Sequence, residues 1–318
     1  MRIAFLLQRA QPDDPTPRIN PVTDEVIARL RARGVQVDLV VPENGCLVLD
    51  DIQPQYDLYV LKSKTPLALS LAGALAMAGT ETVNTVESCN LVRDKMVYTA
   101  VLAARGVPVP PSWATGHPAM LLPLVQEGPL WVKPQRGSKG KGVIRVASPA
   151  QLGLLPMRAD PCGLPLPLFA QEEVPSEGDD MKVYVVGDRA WALTKPWPVR
   201  TVADKYGRRT FLPPAIEAAA RACGQVLGLE IFGVDFLVQG DSFFVVDVNA
   251  FPGFRGPEEG PACIADYIYE RALRPGGRGV ADRPEYLTLS ADGQHTPLPG
   301  LVASAEQPVR LGNVRVPA

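Results

Sequence analysis

Residues 232–254, F-G-V-D-F-L-V-Q-G-D-S-F-F-V-V-D-V-N-A-F-P-G-F, constrain this chain more than any other stretch. Two runs of apolar, β-branched and aromatic residues flank a Gly-Asp-Ser turn, the pattern of a β-hairpin. A three-residue loop of Gly240, Asp241 and Ser242 sets Gln239 opposite Phe243. Counting back along both strands then sets Asp235 opposite Asp247. Strand side chains alternate with period two, so Asn249 shares a face with Asp247. Two carboxylates and an amide oxygen thus converge inside an otherwise apolar hairpin. Like charges directly opposite each other destabilise a ladder, and charge near a core is costly unless paired. A hard divalent cation with oxygen ligands resolves the conflict, Mg²⁺ shared with phosphates being the usual case. The alternative, that these residues only end strands or cap turns, leaves three oxygen ligands in register without a cause.

At 318 residues the chain is long enough for two or three lobes. Hydrophobic content of 46% and charged content of 21% are ordinary for a soluble globular protein. A formal charge of −2 argues against nucleic acid as the main partner but allows a local basic pocket. The five cysteines, Cys46, Cys89, Cys162, Cys223 and Cys263, are scattered and lack C-x-x-C spacing. That points to reduced thiols in a cytoplasmic protein, not to a disulfide frame or zinc site. With only His117 and His295, a His-based metal site is not expected. No secretory signal is visible, and the apolar stretch 66–79 is too short and Gly-broken to span a membrane.

Residues 2–7 read as a buried strand and 8–21 as a polar, Pro-rich loop. Val22, Val26, Ile27 and Leu30 have helical spacing over 22–33. Strands at 35–41 and 56–61 and a helix at 67–78 complete an alternation that implies a small parallel sheet covered on both faces. Lys62, Ser63 and Lys64 fall at a strand's carboxyl end, where open α/β sheets bind ligands; they are either substrate contacts or solvated strand-end residues. No Gly-x-Gly-x-x-Gly follows the first strand, which argues against a dinucleotide site. Residues 88–105 read as one helix carrying R-D-K at 93–95. P-L-W-V-K-P brings Lys133 straight into R-G-S-K-G-K-G-V, residues 136–143. Its glycines let backbone N–H groups wrap an anion, without the ending of a Walker A loop. Further strands are expected at 168–174, 180–186 and 189–194, and helices at 213–227 and 262–272. The basic segment 195–209 either covers a charged ligand or is a solvated loop. Residues 274–318 read as an extended tail with one short strand near 286–289.

Taken in order, R-D-K, W-V-K-P, R-G-S-K-G-K-G-V, A-Q-E-E-V, D-M-K-V-Y-V-V-G-D, G-V-D-F and D-V-N-A-F-P-G resemble the ATP-grasp enzymes of the RimK-like type, over residues 83–272. The resemblance implies an ATP-grasp fold, α/β overall and α+β in its ATP-grasp lobes, behind an N-terminal parallel-sheet domain. The implied divisions are a pre-ATP-grasp domain at 1–84, a central lobe at 85–172, a C-terminal lobe with the metal site at 173–273, and the tail. The implied cofactors are ATP and Mg²⁺, with Mn²⁺ as a substitute. Carried onto matching positions, Lys95 and Lys133 contact the ATP phosphates, and Ser138, Gly140 and Gly142 fold over them. Glu172, Glu173 and Val174 form the hinge that meets adenine, and Asp180 holds the ribose hydroxyls. Asp235, Asp247 and Asn249 bind the metal. Lys133, Arg200 and Arg255 are the expected catalytic residues, and Lys62, Lys64 and Lys195 join the two arginines in a basic pocket for phosphates or carboxylates.

Most RimK-like members are carboxylate–amine ligases that join glutamate or a similar amino acid to an amine. The expected reaction is therefore an ADP-forming ligation through an acylphosphate. Two departures point to an alternative, the inositol-phosphate kinases of the same fold. Asp247 stands where many ligases have glutamate, and Lys182 where they commonly have arginine. A third alternative, a non-catalytic ATP-binding module, would need a broken metal triad or a missing lysine. The expected partner is a small-molecule or peptide substrate with carboxylate or phosphate groups, with no nucleic acid and no membrane. Members of this fold often form dimers or tetramers, so a homo-oligomer is compatible with the resemblance.

Overall fold

The computed structural model describes residues 1–137, 140–155, 165–175, 179–196, 201, 204 and 206–274. Ser138, Arg200, Lys205 and the tail beyond residue 274 lie outside the described residues.

The chain begins β1 (Arg2–Leu6), β2 (Arg9–Gln11), β3 (Asp14–Pro17), α1 (Pro21–Ala32), β4 (Gln36–Val40), β5 (Leu58–Leu61), α2 (Pro66–Met77) and β6 (Thr82–Val83). Four of these strands form a parallel sheet in the order β4-β1-β5-β6. Period-two alternation assigns its faces. Ile3 and Phe5 join a core with Val26, Ile27 and Leu30 of α1. Ala4 and Leu6 join another with Leu69, Ala72 and Leu75 of α2. Helix α1 starts where Asn20 caps it, its Oδ1 accepting from the Thr23 amide at 2.9 Å. The loop expected at 8–21 holds the antiparallel ribbon β2–β3 instead. Arg9 ties the ribbon down, donating to Asn44 Oδ1 at 2.8 Å and to the Pro12 carbonyl at 2.9 Å. The ribbon is short and carries no apolar alternation, so periodicity could not reveal it.

Next come α3 (Val86–Leu91) and α4 (Lys95–Ala104). The single helix expected over 88–105 is broken at Asp94. Its Oδ1 accepts from the amides of Met96 and Val97 at 3.1 and 3.3 Å, which makes Asp94 the N-cap of a new helix. A carboxylate there also meets the positive end of the helix dipole.

The central sheet is antiparallel, in the order β7-β10-β8-β9, from β7 (Ser112–Thr115), β8 (Leu130–Pro134), β9 (Ile144–Val146) and β10 (Leu168–Glu172). Leu130, Val132, Leu168 and Ala170 pack against Val125 of α5 (Leu122–Glu127) and Leu152 of α6 (Pro149–Gly153).

The third sheet runs β13-β12-β11-β14-β15, from β11 (Asp180–Val186), β12 (Arg189–Lys195), β13 (Arg208–Thr210), β14 (Ile231–Gln239) and β15 (Ser242–Ala250). The basic segment expected as a loop over 195–209 thus ends in a strand, Thr194 pairing with Arg208. Val183, Val234 and Phe236 pack on Ile216, Ala219 and Cys223 of α7 (Pro214–Leu227), in the same core as Ala4 and Leu6. Tyr184, Val186, Leu193 and Ile231 share the other core with Ile3 and Phe5, closed by Ile264 and Ile268 of α8 (Gly260–Leu273). The first and third sheets therefore share both of their cores, and the central sheet has its own.

Candidate functional site

Asp235 does face Asp247, but by a different route from the one expected. The turn has two residues, Gly240 and Asp241, with Gln239 opposite Ser242. That is one short of the expected three-residue loop. A β-bulge then restores the count, because Phe236 faces Val245 while Asp235 faces Asp247, leaving Val246 unpaired. The bulge has a second effect. Val246 and Asp247 line the same cavity, which consecutive residues of a regular strand do not do.

This cavity, about 450 Å³, lies between the central and third sheets and is in the range of small-ligand sites. Val143, Val174, Leu237 and Val246 supply apolar lining; Lys95, Lys133, Asp180, Asp235 and Asp247 supply charge. An open groove of about 770 Å³ is bordered by Asp179, Met181, Thr194, Arg208, Arg209, Thr210 and Val238.

The carboxylates are held separately. Lys182 Nζ meets Asp235 Oδ1 at 2.5 Å from the directly paired position on β11. Burial alone would lower the Lys182 pKa, but Asp235 outweighs it and holds the ammonium above its ordinary value. Asp247 Oδ1 accepts from Lys95 Nζ at 3.3 Å and from the Tyr98 hydroxyl at 3.1 Å. Its Oδ2 accepts from Asn249 Nδ2 at 2.7 Å. Burial pushes Asp247 up, yet Lys95, Lys182, Asn249 and Lys133 together keep it below the usual carboxylate value. Asn249 Oδ1 accepts from Lys64 Nζ at 3.3 Å.

Lys133 on β8 donates to Gln171 Oε1 at 2.8 Å, and Gln171 Nε2 donates to Ser112 Oγ at 3.1 Å. Burial takes Lys133 down to about 8 against the opposing pull of Asp247. After β8 the chain enters the glycine loop, where Gly140 and Gly142 sit at φ 69° and 70°, conformations costly for other residues. R-D-K pins the stem of this loop. The Lys95 amide donates to the Gln135 carbonyl at 3.1 Å, Gln135 Nε2 donates to Asp94, and Lys95 Nζ reaches the Gly137 carbonyl at 3.4 Å.

In the segment expected to be the hinge, the Glu172 and Glu173 amides donate to the carbonyls of Pro111 and Pro129 at 2.9 and 3.0 Å. The Val174 amide has no hydrogen bond among the described residues. The Glu173 carboxylate is committed to Arg145 through two 2.7 Å bonds. Asp180 lines the cavity with a buried Oδ1 that has no hydrogen-bond partner among the described residues. Burial, with Asp235 and Asp179 nearby, pushes its pKa up to about 6.

The basic residues divide. Lys195 sits 5.7 Å from the Tyr184 ring and is taken down to about 8 by burial. Arg255 lies 5.9 Å over the Tyr206 ring. Lys62 instead donates to the carbonyls of Phe251 and Pro252, both at 2.7 Å, and burial lowers it to about 7. It braces the turn after β15, where Phe251 and Phe254 hold φ of 38° and 47°, rare for non-glycine residues. Gln171 and Tyr98 were missed by sequence reasoning. The available signals were a polar side chain inside the apolar strand L-F-A-Q-E, and a tyrosine one helical turn after Lys95.

Among the described residues no three His, Cys, Asp or Glu side chains gather around one point. The oxygen set present is two carboxylates and an amide, which suits a hard cation such as Mg²⁺ better than zinc. The orphaned Asp180 Oδ1 suits a ligand hydroxyl, and the two lysines suit phosphate.

Two antiparallel sheets closing on such a cavity, behind a parallel sheet, are matched by a solved RimK domain ATP-grasp protein from Sphaerobacter thermophilus. The TM-score is 0.65, covering 85% of this chain and 100% of that one at 20% identity. This chain has the ATP-grasp fold. The ATP-grasp ligase PsnB, solved with minimal precursor, Mg and ADP, gives a TM-score of 0.62 over 85% of this chain and 97% of its own, at 20% identity. In sequence, residues 194–270 match the family described as the inositol 1,3,4-trisphosphate 5/6-kinase ATP-grasp domain. A curated relative, the "Probable alpha-L-glutamate ligase" of Vibrio atlanticus, is 25% identical over 272 residues, 78% of this chain and 90% of the relative. Among the described residues of this ATP-grasp chain no helix is long and apolar enough to cross a membrane.

Proposed function

We propose that the chain is an ADP-forming carboxylate–amine ligase that uses ATP and Mg²⁺. The observation that carries this reading is the cavity itself, lined together by opposed carboxylates, two lysines and a third carboxylate whose buried oxygen has no hydrogen-bond partner among the described residues. ATP lies along it. The free Val174 amide meets adenine, and Asp180 Oδ1 accepts from a ribose hydroxyl. Lys95, Lys133 and the loop from Arg136 to Val143, including Ser138, Gly140 and Gly142, take the phosphates. Asp235, Asp247 and Asn249 hold Mg²⁺, which neutralises phosphate oxygens during transfer; Mn²⁺ satisfies the same donors.

A substrate carboxylate oxygen attacks the γ-phosphorus, the bond to the β–γ bridging oxygen breaks, and ADP leaves. The amine nitrogen of the second substrate then attacks the acyl carbon, the bond from that carbon to the phosphate oxygen breaks, and phosphate leaves as the amine gives its proton to solvent. Lys133, Arg200 and Arg255 stabilise the transferring charge. Lys64 and Lys195 extend the field to a substrate with carboxylate groups, an amino acid or an acidic peptide. The N-terminal domain at 1–84 supplies Lys64, the central lobe Lys133, and the C-terminal lobe the metal ligands. The four described cysteines are free, which fits work in the cytoplasm.

One observation favours a second reading, a polyol kinase. The matching family model is that of a kinase, and it spans Asp235, Asp247 and Asn249. The deciding experiment supplies γ-labelled ATP with pools of acids and amines, or with inositol phosphates. Phosphate release that needs both an acid and an amine supports the ligase. Label retained on a polyol overturns it. Asp247→Asn should abolish turnover in a protein that still folds.

A further inference from the structure

Helix α4 reaches Asp247 twice. Lys95 and Tyr98 are three residues apart and so share a face of the helix. Both end on the same oxygen, Oδ1, at 3.3 and 3.1 Å. Tyr98 is 2% exposed and packs in the core with Leu102, so its hydroxyl is delivered on a fixed stem. Among the described residues, Oδ2 meets only the Asn249 amide, itself a member of the oxygen set.

We propose that Tyr98 is a positioning residue for the metal site: with Lys95 it reserves Oδ1 of Asp247, so that Oδ2 alone is offered to the cation. This rests on Asp247 being a metal ligand. An aspartate can rotate about two side-chain torsions, and a buried donor on one oxygen removes that freedom. A carboxylate with one oxygen engaged elsewhere is a one-oxygen ligand. Mg²⁺, which demands near-octahedral geometry, is served by that, whereas Ca²⁺ readily takes both oxygens of a carboxylate. Tyr98 therefore also biases the site towards the smaller ion.

The test is a Mn²⁺ titration followed by electron paramagnetic resonance, on the full chain with ADP, with Ca²⁺ as competitor. Tyr98→Phe keeps the ring and removes only the hydroxyl. It should weaken Mn²⁺ binding about tenfold, the usual scale for losing a group that orients a ligand, and lower the preference for Mn²⁺ over Ca²⁺. Binding of ADP without metal should be unchanged. Tyr59→Phe, which removes a buried hydroxyl bonded to the Gln55 amide, should leave Mn²⁺ binding as in the parent. Wild-type Mn²⁺ affinity and ion preference in Tyr98→Phe overturn the proposal, as does an equal loss in Tyr59→Phe. Asp247→Asn separates the levels. If it loses Mn²⁺ while Tyr98→Phe does not, only the positioning role fails. If Asp247→Asn keeps Mn²⁺, the metal reading fails and takes the role of Tyr98 with it.

Discussion

Lys133 and the Asp235–Asp247 pair face one cavity from bodies built in opposite ways. The carboxylates hang on β14 and β15, in a sheet whose two faces are buried in cores shared with the N-terminal sheet. Lys133 and the glycine loop hang on a sheet with a smaller core of its own. Two like charges that must stay opposed are placed on the larger body, where rotation or slippage disturbs most packing. The cationic side sits on the smaller one. Helix α4 belongs to the larger core through Tyr98 and Leu102, yet its first turn grips the stem of the loop through Asp94, Gln135 and Lys95. The large core thus fixes the geometry of the carboxylates, and the small one carries the lysine and glycine loop that face them.

Among changes on the smaller body, the largest effect should come from Lys133→Met, which removes its cation. The kcat/KM for ATP should fall about a hundredfold or more, read by steady-state kinetics. The same variant tests desolvation. Folded Lys133 is held at about 8 against an ordinary 10.5. Between those values the unfolded chain binds more protons, so wild-type stability should rise with pH relative to the variant from about pH 8 to 10.5. Thermal melts without nucleotide at pH 7 and pH 10 measure it, and a constant difference would mean the lysine is solvated.

Leu130→Ala comes next. It should cost about 2–5 kcal/mol, with faster amide exchange confined to β7, β8, β9 and β10. Equal loosening of β14 and β15 would erase the distinction between the two bodies. Asp180→Asn should weaken ATP about tenfold at pH 7.5, from loss of a charge-assisted hydrogen bond. Burial holds this carboxyl up at about 6, so it accepts as a charged group above that pH and is neutral, like asparagine, below it. The gap between wild type and variant, measured by calorimetry, should close as pH falls through 6. The smallest effect is expected of Arg145→Ala. Its pair with Glu173 is exposed and screened by solvent, so ATP affinity should change by less than about fivefold. A larger change would place the Glu173 carboxylate in the hinge itself.

Legibility followed the distance between partners. The helical spacing of Val26, Ile27 and Leu30, and the alternation of Ile3, Ala4, Phe5 and Leu6, are set by neighbours along the chain and could be read directly. The facing of Asp235 and Asp247 was read correctly through two errors that cancelled, a loop counted one residue too long and a bulge not foreseen at Val246. A bulge depends on what the opposite strand offers, and residue order along one strand carries little of that. Tyr98 lies 149 residues from Asp247, and Lys62 lies 189 from Phe251, so neither contact leaves a local trace. Lys62 was therefore grouped with substrate-binding cations, whereas the fold spends it on two backbone carbonyls. Asp94 shows the same limit at shorter range. Its capping role follows from residue type, but its second bond to Gln135 comes only when β8 arrives beside α4.

By itself, the residue order determined most of the longer strands and helices, where glycines permit a turning backbone, and that side-chain oxygens would collect on one hairpin. These are short-range consequences of side-chain period and backbone freedom. Tertiary structure decided which carboxylate oxygen Tyr98 occupies, which lysine lines the cavity and which braces a turn, and that two sheets share their cores while the third stands alone. Those outcomes depend on groups far apart in the chain competing for the same buried partners. Only packing settles that competition, because a buried charge must find its counterpart wherever the fold has placed it.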